Sequence, residues 1–163
     1  MLNDMTVYEN VALALYAVEQ GGKGMKRKIM RALGLVGIAE KAYAYPKELS
    51  GGEQARMLLA RAMAVNPDVL IADEPTANLD PDAAWDMMLL FNEIHRQGKT
   101  LIIATHAREL VTIMRKRVIT LVAGALVADE KNAIYNQKAM DIFEERRVLQ
   151  ERENKLEKNI NIL

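Results

Sequence analysis

A pair of adjacent carboxylates is the feature of this sequence that could do chemistry most directly. Asp73 and Glu74 follow a four-residue apolar run, residues 69–72. Such a run predicts a buried strand, whose carboxyl end would present the two carboxylates to a metal ion and a water molecule. His106 follows a second predicted buried strand, residues 100–104, and is expected beside the carboxylates. The pattern predicts a metal-assisted attack by water.

A serine and two glycines precede the carboxylates and could bind an anion. Ser50, Gly51 and Gly52 stand where a predicted helix begins, and the free amides and positive dipole end of a helix favour a bound anion. Glu53 follows Ser50 at the spacing of a capping box. A plain helix start is the structural alternative for such a triplet, and a turn or helix cap is the alternative for the carboxylate pair. In combination, the two stretches favour a nucleotide site.

The loop that usually holds nucleotide phosphates is missing from the sequence. No Gly-x-x-x-x-Gly-Lys-Ser/Thr segment occurs in the 163 residues. The tripeptide Gly98-Lys99-Thr100 has the right ending, but Glu93 occupies the place of the first glycine. A helix is predicted before this tripeptide and a strand after it, whereas a phosphate loop needs the order strand, loop, helix. We therefore interpret Gly98 as a helix stop followed by a turn.

Composition restricts the classes of function. The 163 residues, half of them hydrophobic, are enough for one domain with a sizeable core. The 22 basic and 22 acidic residues give no net charge, so any partner must be recognised locally. The absence of cysteine excludes disulfides and thiolate sites, and fits a reducing compartment. No apolar run is long enough to span a bilayer, and the N-terminus does not have the pattern of a signal peptide.

Strands that alternate with helices predict an α/β sheet with its chemistry at the carboxyl ends of the strands. A capping box formed by Thr6 and Glu9 predicts where the first helix begins. The predicted helices are Thr6 to about Val18, Met25 to Leu33 with its end near Gly34, Glu53 to about Val65, Asp80 to Gly98, and a short one after His106. The predicted strands are residues 69–72 and 100–104, followed by a hairpin of residues 117–121 and 126–128 around Gly124.

Two charged segments need separate interpretation. The second helix carries Lys26, Arg27, Lys28 and Arg31, which we interpret as a solvated face, with a lipid or partner contact as the alternative. The tail from about Gln137 has an apolar residue at every seventh position, but charged residues interrupt the neighbouring positions of the stripe. We expect a loosely docked or frayed terminal helix there rather than a strong coiled coil. The apolar stripe consists of Ile142, Leu149, Leu156 and Leu163.

Four motifs in order resemble those of the nucleotide-binding domain of ATP-binding cassette (ABC) ATPases. Residues 50–53 resemble its signature, Asp73 with Glu74 its Walker B pair, Asp80 its D-loop and His106 its switch histidine. Within the family, the chain resembles the cell-division branch, with the lipoprotein-release and macrolide-export ATPases as near relatives. That comparison rests on residues 6–11, residues 78–81 with Trp85, residues 104–106 and residues 115–119. The resemblance covers nearly the whole chain before the tail.

The resemblance implies a fold and a division of the chain. The fold would be a partial P-loop NTPase, a three-layer α/β sheet with a helical signature subdomain and a C-terminal helix. Residues 1–48 would form the N-terminal part of the helical subdomain. Residues 49–133 would hold the signature helix and the α/β core, and residues 134–163 a charged helical tail.

The resemblance also implies a role for each motif. Asp73 would hold Mg²⁺, Glu74 would polarise the attacking water, and His106 would contact the γ-phosphate of ATP. In this family two domains sandwich two nucleotides head to tail. The signature residues would bind ATP held by the opposite subunit, and Asp80 would link the two sites. The signature residues are Ser50, Gly51, Gly52 and Glu53.

In this family a Walker A segment, an adenine-stacking tyrosine and a Q-loop glutamine precede the position of Met1. We therefore expect a truncated product whose sheet has unpaired edges and exposed apolar surface. The implied partners are a second copy or an intact ABC subunit and an FtsX-like integral-membrane protein, with no nucleic acid. The chain would be cytoplasmic and peripheral on the inner face of the membrane.

Three hypotheses follow. The chain is an ATPase subunit, or a non-catalytic module that binds the membrane partner or donates Ser50 in trans, or a remnant that folds poorly alone. Autonomous ATPase activity is left open at this point because the phosphate loop is missing.

Overall fold

The computed structural model describes residues 1–19 and 24–131. The chain divides into two compact units, Met1–His106 and Ala107–Leu163. The first unit contains the helices α1 (Val7–Glu19), α2 (Met25–Leu35), α3 (Gly51–Met63) and α4 (Pro81–Arg96) and the strands β1 (Val69–Asp73) and β2 (Thr100–Ala104). The second contains α5 (Arg108–Met114), β3 (Val118–Val122) and β4 (Ala125–Glu130). The predicted alternation of helices and strands is confirmed over the described residues.

Helices α1, α2 and α3 pack together and form the first part of the core. The predicted capping box starts α1, because the Thr6 amide donates to Glu9 Oε2 at 2.8 Å and the Glu9 amide donates to Thr6 Oγ1 at 3.3 Å. Apolar residues at helical spacing on each of the three helices are buried, which makes this packing the main source of their stability. The largest of them are Val7, Val11, Leu15, Ile29, Leu33 and Met57.

Helix α2 ends differently from the prediction. It continues through Gly34 to Leu35, and the left-handed residue that terminates it is Gly37, with φ 73°. The Ile38 amide donates to the Leu33 carbonyl at 3.0 Å, and the Gly37 amide donates to the Gly34 carbonyl at 3.2 Å. These two bonds form a Schellman motif, which requires the glycine at Gly37 and leaves Gly34 an ordinary helical residue.

Strands β1 and β2 pair in parallel, from Val69 opposite Thr100 to Asp73 opposite Ala104. Helix α4 connects them and contacts β2. The predicted apolar stripe of α4 is buried and belongs to the core, as expected. It consists of Ala84, Met87, Met88, Phe91 and Ile94.

The prediction that β1 and β2 are buried strands is wrong for one face of the sheet. Leu70 is buried at 8% exposure, but Ile71 is 71% exposed and Ile102 is 54% exposed. Successive side chains of a strand point to opposite faces, so one face is covered while the other lies open among the described residues. The expected exposed apolar surface is therefore present.

The predicted hairpin of the second unit is confirmed. Strands β3 and β4 pair antiparallel, and the two residues between them, Ala123 and Gly124, have φ values of 48° and 79°. Positive φ at both positions is what a two-residue hairpin turn of type I′ requires. Arg117 closes the open end with a bidentate pair to Asp129, at 2.8 and 2.7 Å.

Within the described residues, none of the helices has the length and apolar character needed to cross a membrane. The predicted C-terminal helix of residues 134–163 lies outside the described residues. The predicted division of the chain at residues 48 and 133 stays a prediction.

Candidate functional site

Glu74 lies where the chain leaves β1 and turns toward the end of β2. Its backbone has φ 46°, a left-handed conformation that is uncommon for a residue with a side chain. The Glu74 amide donates to the Ala104 carbonyl at 2.9 Å, so the parallel ladder continues by one bond beyond Asp73. Left-handed backbone at a non-glycine residue stores strain and concentrates at functional sites. The turn directs the Glu74 side chain toward the segment that follows β2.

His106 and Thr105 hold the Glu74 carboxylate from the end of β2. His106 Nδ1 lies 2.7 Å from Glu74 Oε1, and the His106 amide donates to the same oxygen at 3.1 Å. Thr105 Oγ1 donates to Glu74 Oε2 at the longer distance of 3.4 Å. Because a carboxylate only accepts, this geometry requires the proton of a neutral His106 to be on Nδ1. Nε2 is then left to interact with another group.

The environment of Glu74 favours its ionised form. The His106 side chain is the main cause of a pKa below the usual value of a glutamate, and the His106 charge and amide and the Thr105 hydroxyl act in the same direction. Burial opposes them only in part. Glu74 is therefore a carboxylate at neutral pH, the form in which it can accept a proton from water.

Asp73 has a different environment from its neighbour. It is exposed and occupies the same face of β1 as Val69 and Ile71, because residues two apart share a face. Among the residues that the structure describes, no three His, Cys, Asp or Glu side chains group together as metal ligands. Mg²⁺ is commonly held by one or two carboxylates together with water and substrate phosphates, so a single aspartate fits that ion.

Ser50 caps the N-terminus of α3. The Glu53 amide donates to Ser50 Oγ at 3.3 Å, and the Ser50 amide donates to Glu53 Oε2 at 2.8 Å. This is the predicted capping box, although α3 begins at Gly51 and ends at Met63 rather than spanning Glu53 to Val65. The backbone bond from Ser50 is also the main cause of a lowered Glu53 pKa. Glu53 is therefore engaged by its own helix end and by Lys41 at 3.7 Å.

The two signature glycines lie against the segment that carries Asp80. A Cβ atom on Gly51 would lie 3.7 Å from the Asn78 carbonyl oxygen, and one on Gly52 would lie 3.2 Å from Ala83 Cβ. Asp80 caps α4, since its Oδ1 accepts the Ala83 amide at 2.9 Å. The fold thus joins the start of α3 to the start of α4, which the sequence analysis did not predict.

The predicted site residues lie in two separate clusters. Glu74 and His106 are in direct contact, while the Ser50 segment packs beside the Asp80 segment. Thr105 received no role from the sequence. Its position next to His106, after a strand predicted to end beside Glu74, was the available signal.

The tripeptide Gly98-Lys99-Thr100 is a turn between α4 and β2. Gly98 has φ 90°. The tripeptide is not a phosphate loop, because a helix precedes it and a strand follows it, the reverse of the order that such a loop needs. Lys99 Nζ lies 3.6 Å from Asp68 Oδ1, so its charge is directed to the start of β1. The interpretation as a helix stop and turn is confirmed.

The side chains at this site could bind the magnesium ion and the water of a magnesium–nucleotide complex. The Asp73 carboxylate is of the type that binds Mg²⁺, and the ionised Glu74 is of the type that activates water. The 163 residues contain no loop to cradle the phosphates. These side chains supply the metal and water chemistry of such a site, and other groups, in the chain, its oligomer or an intact subunit, would have to hold the phosphates.

The sequence of this chain is similar to those of known proteins. The family model of the ABC transporter matches residues 1–77. The cell division ATP-binding protein FtsE of Streptococcus pneumoniae serotype 2 is 47% identical over 135 residues, 83% of this chain and 59% of that protein. FtsE of Bacillus subtilis strain 168 is 45% identical over the same shares, and FtsE of Escherichia coli K12 is 43% identical over 77% of this chain and 57% of that protein. This chain therefore spans less than two thirds of the length of these relatives.

Solved structures show the same fold. MJ1267, an ATP-binding cassette of an ABC transporter in its ADP conformation, has a TM-score of 0.78 at 22% identity, covering 87% of this chain and 63% of that one. The dimeric bacterial ABC transporter cassette MJ0796 has a TM-score of 0.69 at 29% identity, covering 82% of this chain and 59% of that one. The α/β fold described here is thus part of the ABC cassette fold. On these grounds the chain belongs to the ABC transporter ATPases.

Proposed function

We propose that this chain is the catalytic and coupling part of an ATP-hydrolysing subunit that uses ATP and Mg²⁺. The observation that carries the proposal is the contact between Glu74 and His106, two groups of complementary chemistry brought together from the ends of parallel strands. In open α/β sheets ligands bind at the carboxyl ends of the strands, which is where this contact lies. The proposed roles of Asp73, Asp80 and the signature residues follow from the same family pattern.

The chain's own residues support general-base chemistry. Glu74 Oε1 has two contacts to His106, whereas the contact of Oε2 within the described part of the chain is the longer bond from Thr105. Oε2 is therefore the oxygen best placed to accept a proton from water. His106 holds the carboxylate through Nδ1 and its amide, and Nε2 would be the atom that contacts a phosphate. Asp73 would hold the magnesium ion, which stabilises negative charge on phosphate oxygens.

The start of α3 would act on a nucleotide in another subunit. Ser50 and Gly51 are exposed at a helix N-terminus, where backbone amides and the helix dipole favour an anion. The dimeric cassette MJ0796 supports an assembly of two domains. We propose a homodimer or a dimer with an intact ABC subunit, in which Ser50, Gly51 and Gly52 face the partner's nucleotide, Asp80 links the sites, and Glu53 acts through the capping box.

The biological setting of the proposal comes from the relatives named for cell division. We propose an FtsX-like integral-membrane partner and a cytoplasmic position at the inner face of the membrane. The arrangement of the fold would follow the family, with a three-layer core at residues 49–133, a helical subdomain part at residues 1–48 and a helical tail at residues 134–163.

A second candidate function is a non-catalytic module that supplies the signature in trans. The start of α3 favours it, because Ser50 and Glu53 form a complete capping box there and the two glycines pack against the segment that carries Asp80. Such a module would support hydrolysis in an intact subunit without hydrolysing ATP itself.

The first test is calorimetric titration of MgATP into the purified Glu74→Gln chain. Binding with micromolar Kd supports the ATPase subunit, since it requires that the chain or its oligomer hold the phosphates. No binding by a folded sample contradicts autonomous ATP use. The second candidate then predicts that the chain restores turnover to a signature-defective full-length FtsE, and that Ser50→Ala prevents this; failure of the restoration excludes the second candidate as well.

A further inference from the structure

Helix α2 concentrates positive charge that the nucleotide chemistry does not use. Its sequence, residues 25–35, contains four basic residues and no acidic residue, although the whole chain has a formal net charge of zero. All four side chains are exposed. The acidic residues that balance them lie on other elements. The basic residues are Lys26, Arg27, Lys28 and Arg31.

The charges lie mainly on one side of the helix. Ile29, Ala32 and Leu33 are buried, and a rotation of about 100° per residue puts Arg27 and Arg31 on the opposite side. These two arginines are one turn apart, where like charges destabilise a helix. The side chains of Lys26, Arg27 and Arg31 make no ion pair within residues 1–19 and 24–131. Local pairing therefore does not relieve the repulsion.

Exposed apolar side chains lie near the end of α1, the helix that packs against α2. Tyr16 and Val18, near the end of α1, are 57% and 68% exposed. Only residues 20–24 separate α1 from α2, so the end of α1 lies within about 20 Å of the start of α2. Cations on one helix, with an exposed tyrosine and an exposed valine on the helix packed against it, are the composition of a surface that rests at the boundary between lipid headgroups and acyl chains.

We propose that the exposed face of α2, together with Tyr16 and Val18, contacts the headgroups of an anionic lipid bilayer. Lipid binding by this face would not involve the nucleotide site. A chain that does not bind lipid could therefore still have the proposed function. A nucleic acid would use the cations but not the exposed valine. A helix face that carries several exposed cations suits a lipid surface, which needs charge density, better than it suits an acidic protein, which needs a complementary shape as well.

The test is sedimentation of the full 163-residue chain with vesicles of phosphatidylcholine and phosphatidylglycerol, without nucleotide. Each Lys or Arg near an anionic surface contributes about fivefold to lipid binding, so Arg27→Gln/Arg31→Gln should weaken it about 25-fold. Raising the salt to about 0.5 M should release the wild-type chain, because charge interactions are then screened over a few ångströms. Circular dichroism verifies that the variant is folded, which is expected because glutamine is a good helix former and a repulsion is removed.

Two controls isolate the surface. Lys47→Gln/Arg96→Gln removes the same charge from exposed positions outside α2 and should bind like the wild type. Arg27→Lys/Arg31→Lys keeps the charge and should also bind. The proposal is overturned by equal binding of the two double glutamine variants, by equal binding to phosphatidylcholine alone, or by tighter binding to an oligonucleotide or to polyglutamate at the same salt concentration.

Discussion

Glu74 Oε1 accepts two contacts from His106, one from the ring Nδ1 at 2.7 Å and one from the backbone amide at 3.1 Å. The two residues are 32 positions apart and meet because β1 and β2 are parallel neighbours of the same length. One glutamate oxygen is thereby fixed in place, while the other has a weaker bond to Thr105. This relationship joins the candidate base to the candidate phosphate sensor.

Replacement of the candidate base should stop chemistry without stopping nucleotide binding. In an assembly that contains an intact phosphate loop, Glu74→Gln should lower the rate of hydrolysis by about 100-fold or more, since a general base is lost. Single-turnover hydrolysis and ATP retention on a filter measure the two effects. Glu93→Gln, an exposed glutamate on α4, is the matched control. Unchanged hydrolysis by Glu74→Gln would remove Glu74 from its assigned role.

The Glu74 contact should also make stability depend on pH. The pKa of Glu74 is lowered from 4.5 in the folded chain, so the stabilising effect is fully present above about pH 4.5 and is lost as the pH falls through the lower, folded-state value. The difference in Tm between the wild type and Glu74→Gln should therefore shrink on acidification. Thermal melts at neutral pH and at successively lower pH measure it. The exposed Glu40→Gln serves as control, and a difference that grows toward low pH contradicts the contact.

The Ser50 hydroxyl should matter for the helix as well as for any nucleotide. Ser50→Ala removes the acceptor of the Glu53 amide, and losing such a cap costs about 1 kcal/mol of the free energy of unfolding. Ser50→Asp keeps the cap but places a negative charge where a phosphate would bind. Urea unfolding should detect the loss in the first variant only, whereas activity in a mixed dimer should fall in both. Full activity of the aspartate variant would show that Ser50 acts only as a cap.

Replacing either of two glycines, three residues apart, by alanine should change the stability of the chain in opposite directions. Gly34 lies within α2 and nothing is within 4 Å of an added Cβ, so Gly34→Ala should stabilise the chain by about 0.5–1 kcal/mol. Gly37 has φ 73°, so Gly37→Ala should destabilise it by about 1 kcal/mol or more. Denaturant unfolding of both variants measures the contrast. Stabilisation by both would mean that α2 does not end in the Schellman motif.

Substitutions at two neighbouring residues of β1 should also have very different effects on stability. Leu70→Ala removes a buried side chain and should cost about 2–5 kcal/mol. Ile71→Thr changes a side chain that is 71% exposed and should leave stability nearly unchanged while reducing self-association, because it interrupts the apolar face of the sheet. Unfolding curves and analytical ultracentrifugation measure the two effects. A large loss of stability in Ile71→Thr would mean that this face is covered in solution.

Much of the local structure could be predicted from residue types and spacing. The capping boxes at Thr6 and Ser50, the cap at Asp80, the strand at residues 100–104 and the hairpin around Gly124 depend on hydrogen bonds and dihedral angles within a few residues. Their physical cause is contained in the local sequence. The motif order likewise indicated the family, because each motif is short and contiguous.

Contacts between distant segments could not be predicted in this way. The sequence predicted His106 beside the two carboxylates, but only the parallel register determined that Glu74 is the one it contacts and which oxygen each group uses. The packing of Gly52 against Ala83 could not be predicted either, since it depends on how α3 lies against α4.

The end of α2 and the burial of β1 were decided by the tertiary structure. Gly34 and Gly37 are equally plausible helix stops by residue type, and the core that buries Leu33, Val36 and Ile38 selects the second. An apolar run predicts a strand but not how many faces are covered, which depends on the elements that pack against it. The sequence by itself thus determined the caps, the turns and the chemical groups, because those interactions are local. Only the tertiary structure decided which atoms are in contact and which apolar face stays open, because those properties depend on segments far apart in the chain.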